Sequence, residues 1–135
     1  MPPSPSRPRN RGSQQTRSAR LSAELFGRRG EDLAALYLRL KGYRILARRV
    51  KTPGGELDLV ARRLGVTVFV EVKARMSRAE LGVALEAVNT RRIARAAEHY
   101  VARHPELASA PLRFDVIFLA PMMWPRHLRN AFQAE

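Results

Sequence analysis

Residues 56–74, ELDLVARRLGVTVFVEVKA, decide the fold. Two runs of alternating apolar and polar residues, rich in β-branched side chains, flank Leu64-Gly65. This is the pattern of a β-hairpin with strands over Glu56–Arg63 and Val66–Ala74. A loop centred between positions 64 and 65 sets a register in which opposed residue numbers sum to 129. Asp58 then faces Glu71 and Glu56 faces Lys73, with directly opposed Cβ atoms about 4.5–5.5 Å apart on one face of the sheet. Leu57, Leu59, Val70 and Val72 take the other face and point into a core. A one-residue slip would bury the charges, so the apolar pattern itself supports the register.

Working outward toward the N-terminus, residues 43–50 (YRILARRV) read as a strand and Lys51–Gly55 (KTPGG) as the turn that joins it to the hairpin. Three strands in an antiparallel meander follow. Before them, Ser22–Lys41 places Leu25, Phe26, Leu33, Leu36, Tyr37 and Leu40 at helical spacing and stops at Gly42. This predicts a first helix with a basic outer face. Beyond the hairpin, a loop from Arg75 to about Leu81 leads to a second main helix over Thr90–His104, with Asn89 or Thr90 as N-cap. Its apolar residues are Ile93, Ala96, Ala97, Tyr100 and Val101. Leu112–Ala120 (LRFDVIFLA) is a fourth strand, and Trp124–Phe132 a short edge strand or packed tail. The order implies a mixed α/β layer with the sheet covered on at least one face. The connection from the third strand through the helix to the fourth is expected to be a right-handed parallel crossover.

The 135 residues suit one domain. Lys and Arg number 25 against 12 Asp and Glu, a net charge of +13, while 45% of residues are hydrophobic. That much apolar material excludes a disordered polycation, and the charge makes a polyanion, first of all nucleic acid, the expected partner. The absence of Cys excludes disulfides and thiolate metal ligands or nucleophiles. No apolar run approaches the roughly 18 residues of a membrane span, and the N-terminus lacks the apolar stretch of a secretory signal. A cytoplasmic protein is expected. Residues 1–20 hold Arg7, Arg9, Arg11, Arg17 and Arg20, no acid, and many Pro and Ser. They read as a disordered basic arm, either adding sequence-independent phosphate contacts or dispensable. Five of the thirteen net charges lie there, leaving eight on the single domain expected over 21–135.

Two carboxylates opposed in a sheet repel at a cost of up to about 1 kcal/mol. A divalent cation between Asp58 and Glu71 removes the conflict, and Mg²⁺ takes such oxygen ligands at about 2.0–2.1 Å. Lys73 adds an ammonium on the same face. Such a site binds a phosphodiester oxygen and acidifies a water, which Lys73 orients or deprotonates. The same residues also read as ordinary solvent-facing charges, with Glu56 and Lys73 a weak surface pair. Pattern alone leaves both readings open. His99 and His104 are five apart and share no helical face, which makes them and His127 a poor metal set. Asp115 reads as a structural partner for Arg113 or as the edge of the site. Gly54-Gly55 and Gly65 lack the strand-to-helix context of a phosphate-binding loop and read as turns. Tyr43, Trp124 and Phe132 suit core or interface packing better than base stacking.

The segments GRRGEDLAALYLRLKGYRILARR (27–49), GELDLV (55–60), FVEVKAR (69–75), LEAVNTRR (85–92), RFDVIF (113–118) and HLRNAF (127–132) resemble, in order and spacing, the YraN-like family of small bacterial proteins. That family resembles archaeal Holliday junction resolvases of the PD-(D/E)XK nuclease superfamily. The resemblance implies a restriction-endonuclease-like core and a Mg²⁺- or Mn²⁺-dependent endonuclease acting on DNA, with branched junctions the expected substrates. It implies Asp58 and Glu71 as metal ligands together with the Val72 carbonyl, Lys73 as the catalytic lysine, and Glu31 as a supporting helical acid. Arg91 or Arg92 would contact phosphate, and Arg28, Arg29 and Arg75 would help position the backbone. Glu56 lies in the family's GE-x-D segment without a firm role. Leu57 stands where the superfamily name has Pro, which leaves the carboxylate chemistry untouched. A two-fold substrate would call for a symmetric homodimer. The competing expectation is a nucleic-acid-binding module that keeps this fold without catalysis, and a third is a protein-interaction adaptor whose charge aids solubility.

Overall fold

The computed structural model describes residues 29–77, 79–80, 83–84 and 88–133. The basic arm and Arg28 lie outside the described residues. A helix (α1) occupies 29–40 and ends in a turn at Lys41-Gly42, where Gly42 has φ +89. Five strands follow in one sheet of order β1-β2-β3-β4-β5. They are β1 (Arg44–Thr52), β2 (Gly55–Arg63), β3 (Val66–Ala74), β4 (Leu112–Leu119) and β5 (Arg126–Phe132), with α2 (Thr90–Arg103) between β3 and β4. The first three strands form the expected antiparallel meander, β3 and β4 run parallel, and β5 adds an antiparallel edge.

The two helices cover opposite faces. Ala34, Ala35 and Leu38 of α1 pack with Leu59, Ala61, Val68, Val70, Ile117 and Leu119. Ile93, Ala96, Ala97 and Tyr100 of α2 pack with Leu57, Val60, Phe69 and Phe114. Phe69 anchors this second layer, stacked on Phe114 at 5.6 Å between ring centroids and meeting Tyr100 edge-on at 6.1 Å. A sheet buried on both faces explains why β3 reads as a nearly continuous apolar run through residue 70.

The buried stripe of α1 differs from the expected one. Leu33 and Leu36 are each 51% exposed and Leu40 is exposed too, while the small Ala34 and Ala35 meet the sheet. Gly30 shows why the helix approaches so closely: a Cβ there would lie 2.9 Å from the Ala74 Cβ. The outer face is therefore apolar in part as well as basic.

The hairpin register is the expected one from Leu59↔Val70 to Arg63↔Val66, and there the ladder stops. Beyond it β3 stays paired with β4 through Ala74↔Leu119. The strict alternation expected for the hairpin also breaks at this point. Leu59 and Val70 are buried against α1, with Val72 packed on the edge of that cluster. Leu57, only two residues from Leu59, belongs to the α2 layer. Its strand partner Val50 does the same. Between Arg48↔Leu59 and Val50↔Leu57, the β1–β2 ladder passes over Arg49 and Asp58, and Arg49 has φ +50. The switch in facing, a departure from the alternation of strand residues, falls where the left-handed Arg49 stands on the neighbouring strand.

Candidate functional site

The end of the β2–β3 ladder opens a cleft of about 440 Å³, lined by Glu31, Glu56, Asp58, Glu71, Lys73, Asn89, Arg92 and Ile93. Asp58 sits at the fork. Its Oδ2 accepts the Val72 backbone N–H at 2.8 Å, a side-chain bond in place of a strand ladder. Glu71 and Lys73, two residues apart on the stretch of β3 that has parted from β2, share a face and form an ion pair with Nζ 3.1 Å from Oε1. Lys73 thus pairs with Glu71 rather than with Glu56, because the ladder that would have brought Glu56 across does not extend that far. Glu56 pairs in register with Lys51 of β1 and stands exposed on the rim.

Three close approaches bring the helices to this fork. The contact of Gly30 with Ala74 seats α1 on the end of β3, so that Glu31 enters the cleft. On the other side the turn after β1 is clamped on α2. A Cβ at Gly54 would lie 2.9 Å from His99 Cδ2 and 3.0 Å from the Arg95 backbone carbon, and one at Gly55 would lie 2.7 Å from Arg92 Cγ. Thr52 closes that turn, its Oγ1 donating to the Gly55 carbonyl at 2.6 Å and accepting the Gly55 N–H at 3.1 Å. Asn89 caps α2, Oδ1 accepting the Arg92 N–H at 3.1 Å. The first turn of α2 holds no acid, so its positive dipole end faces the cleft undiminished.

The electrostatics of the cleft oppose those of the chain. Four carboxylates and only two cationic side chains line it, in a protein of net charge +13. Burial, then the charge of Glu71, and more weakly that of Glu31, push the Asp58 carboxyl up to about 7, against the Val72 N–H, which lowers it. Glu31 is held by Arg49, whose Nε donates to Oε2, and Asp32 by Arg48. Among the described residues no three carboxylate or imidazole groups converge on one point. Asp58 and Glu71 give a two-carboxylate arrangement, the donor number that Mg²⁺ commonly takes from protein when phosphate and water complete its shell.

The other sequence candidates divide. Arg92 lines the cleft, and Arg29 and Arg91 are exposed beyond it. Arg75 turns back, its Nη1 donating to the Ala74 carbonyl at 2.9 Å. Asp115 is apart from the cleft. It is fully buried on β4, and both its oxygens are taken: Oδ1 by Arg113 Nε (2.8 Å) and the Asn130 N–H (2.9 Å), Oδ2 by Arg113 Nη2 (2.8 Å) and His127 Nε2 (2.6 Å). Lys41 Nζ donates to His127 Nδ1 at 2.7 Å, and Arg113 Nη2 to the Tyr43 hydroxyl at 2.6 Å. Asp115 is thus the structural partner of Arg113. Sequence reasoning missed two residues of the site, Asn89 as a lining group and Arg49. Asn89 was legible only as a helix cap, and a bulky cation in a left-handed strand position has no local signature.

The chain matches the model of the uncharacterised protein family UPF0102 over residues 30–119. This chain belongs to that family. It is 50% identical over 113 residues to a UPF0102 protein of Parvibaculum lavamentivorans, covering 84% of this chain and 85% of that one. A UPF0102 protein of Methylorubrum extorquens is 51% identical over 109 residues, with coverage of 81% and 85%. One from Erythrobacter litoralis is 52% identical over 111 residues, with coverage of 82% and 95%. UPF0102 is the YraN-like family of the sequence resemblance. Among its described residues this UPF0102 protein has no helix long and apolar enough to cross a membrane.

Proposed function

We propose that the cleft is the hydrolytic centre of a metal-dependent DNA endonuclease with a PD-(D/E)XK-type core. One observation carries the reading: Asp58, Glu71 and Lys73 meet in an acidic cleft where two strands part, within a strongly basic protein. A basic surface collects a polyanion. An acidic cleft would repel that polyanion unless a cation sat between them, so the two charge patterns make sense together with a divalent metal. The donors fit a hard ion such as Mg²⁺ or Mn²⁺, with Asp58 and Glu71 as its carboxylates and the Val72 carbonyl as a third oxygen. When bound, the metal supplies Lewis acidity and lowers the pKa of a coordinated water.

The remaining chemistry belongs to the chain. The Val72 N–H fixes the orientation of Asp58. Lys73, tethered to Glu71, holds an ammonium where it can donate to the attacking water or to a phosphoryl oxygen. Arg92, at the cationic end of α2, meets a neighbouring phosphate, and the exposed Arg29 and Arg91 hold the backbone farther out. A branched DNA with two-fold symmetry would engage two such centres in a homodimer.

The test is cleavage of labelled four-way junction, flap and duplex DNA with Mn²⁺, Mg²⁺ or EDTA. Cutting is expected only with metal, and Asp58→Ala and Glu71→Ala are expected to abolish it while retaining the fold and DNA affinity. Cutting by both variants at the wild-type rate overturns the assignment. Salt-sensitive DNA binding with no cleavage on any substrate replaces it with a non-catalytic binding module.

A further inference from the structure

Arg49 is an unusual residue in an unusual place. By register it stands across from Asp58 on β1, at the point the β1–β2 ladder passes over. Its φ of +50 is a conformation that suits Gly or Asn and that a long side chain gains nothing by adopting. The effect of that backbone is visible in the side chains. Successive strand residues point to opposite faces, yet Arg48 and Arg49 both reach the first turn of α1, at Asp32 and Glu31.

Tethering α1 to the sheet does not require both pairs. Arg48 with Asp32 makes one tie, and the Gly30–Ala74 contact makes another. The Arg49 pair differs from the Arg48 pair in where it leads. Glu31 lines the cleft and its side chain is only 19% exposed, whereas the Arg49 side chain is 42% exposed. Arg49 engages Glu31 through Nε, and a guanidinium bound through Nε keeps its Nη donors for a second anion.

We propose that Arg49 is a phosphate-binding arginine held in reserve by Glu31, which it exchanges for a phosphodiester oxygen when DNA enters the cleft. The proposal rests on the nuclease reading for the identity of the anion. Before DNA arrives, the pair neutralises Glu31 and keeps Arg49 off the metal carboxylates. Afterwards Arg49 lies along the backbone and the Glu31 carboxylate is free beside Asp58 and Glu71. The loading of the cleft with substrate and the release of its third acid become one event.

The experiment is a double-mutant cycle on binding of a fluorescein-labelled four-way junction in EDTA, titrated with salt, for the wild type, Glu31→Gln, Arg49→Gly and the double variant. Breaking an exposed ion pair corresponds to roughly a two- to fivefold change. Glu31→Gln is therefore expected to tighten binding about two- to fivefold, and Arg49→Gly to weaken it and to reduce the slope of log K against log salt by about 0.9, one phosphate contact. In the Arg49→Gly background the gain from Glu31→Gln is expected to vanish. A gain of the same size in both backgrounds is general charge removal and overturns the exchange, as does an unchanged salt slope in Arg49→Gly. Arg49→Asn repeats the measurement if Arg49→Gly lowers the thermal midpoint. A wild type that fails to bind the junction at low salt overturns the nuclease reading and the exchange together, whereas binding with additive effects overturns the exchange alone.

Discussion

Asp58 and Asp115 are both acids on central strands of one sheet, and the protein treats them in opposite ways. Burial alone would raise both. At Asp115, hydrogen bonds from His127, from Arg113 and from the Asn130 N–H outweigh it and lower the carboxyl to about 2. At Asp58 a single backbone N–H is outweighed by Glu71 and Glu31, and the carboxyl rises to about 7. A carboxylate whose oxygens are all satisfied has finished its work inside the fold. One left among like charges at a cleft keeps a repulsion that the fold does not relieve, which is the feature on which the proposed metal site rests.

The comparison is sharpest in stability. Removing one partner from a buried charged network costs about 3–5 kcal/mol. Asp115→Ala is expected to lose an amount of that order in urea unfolding, since Arg113 and His127 are left facing an empty site. Asp58→Asn keeps an acceptor for the Val72 N–H and removes repulsion with Glu71. It is expected to leave stability unchanged or to raise it while abolishing the proposed cleavage. Equal losses from the two substitutions would erase the distinction between the acids.

The pH dependence separates them next. Asp115 is lowered, so its contribution is present above its unfolded value near 3.8 and is lost as pH falls toward about 2. Asp58 is raised, so between about 3.8 and about 7 the folded state holds more protons than the unfolded one. Stability from this group therefore falls as pH rises through that window, by at most about 1.4 kcal/mol per pH unit. Chemical denaturation at pH 4 through 8 is expected to show this negative component in the wild type. Asp58→Asn is expected to remove it and leave the acid-side loss intact. A wild-type slope unaltered by Asp58→Asn would place the titration elsewhere.

Much of this was legible in the sequence, for reasons that also explain the rest. The meander follows from alternation and turn residues, which are local; the parallel fourth strand follows from the helix that precedes it, and the last segment, legible as an edge strand or a packed tail, is the edge strand. The hairpin register followed from the centre of the Leu64-Gly65 loop and the apolar alternation, and it holds as far as Leu59↔Val70. The fork did not follow, because period-2 patterning has no term for a strand pair that opens. Leu57 and Leu59 look equivalent in a list of apolar residues, yet they lie in opposite layers, at the break where the left-handed Arg49 stands across from Asp58. The four acids that line the cleft, Glu31, Glu56, Asp58 and Glu71, were all candidates in the sequence. Their pairings were not legible there, since Lys73 and Glu31 choose among several neighbours by geometry that no spacing rule contains.

The same logic makes Gly30 the residue on which both regions can be compared at the lowest cost. A methyl at position 30 meets the Ala74 Cβ at 2.9 Å and the Leu119 side chain at 3.4 Å, and α1 must shift to admit it. Overpacking of this kind costs typically about 1–3 kcal/mol, partly offset because Ala favours a helix more than Gly does. Gly30→Ala is thus expected to lower urea stability by about 1 kcal/mol, less than Asp115→Ala. Its effect on the cleft is the more telling one. A displaced α1 carries Glu31 away from Asp58 and relaxes one of the charges that raise it, so the component of the stability profile between about pH 3.8 and about 7 is expected to flatten while the loss below pH 3.8, set by a network on β4 and β5, stays in place. If Gly30→Ala alters the acid side instead, α1 supports the Asp115 network more than the cleft, and the division of labour between the two acids is drawn in the wrong place.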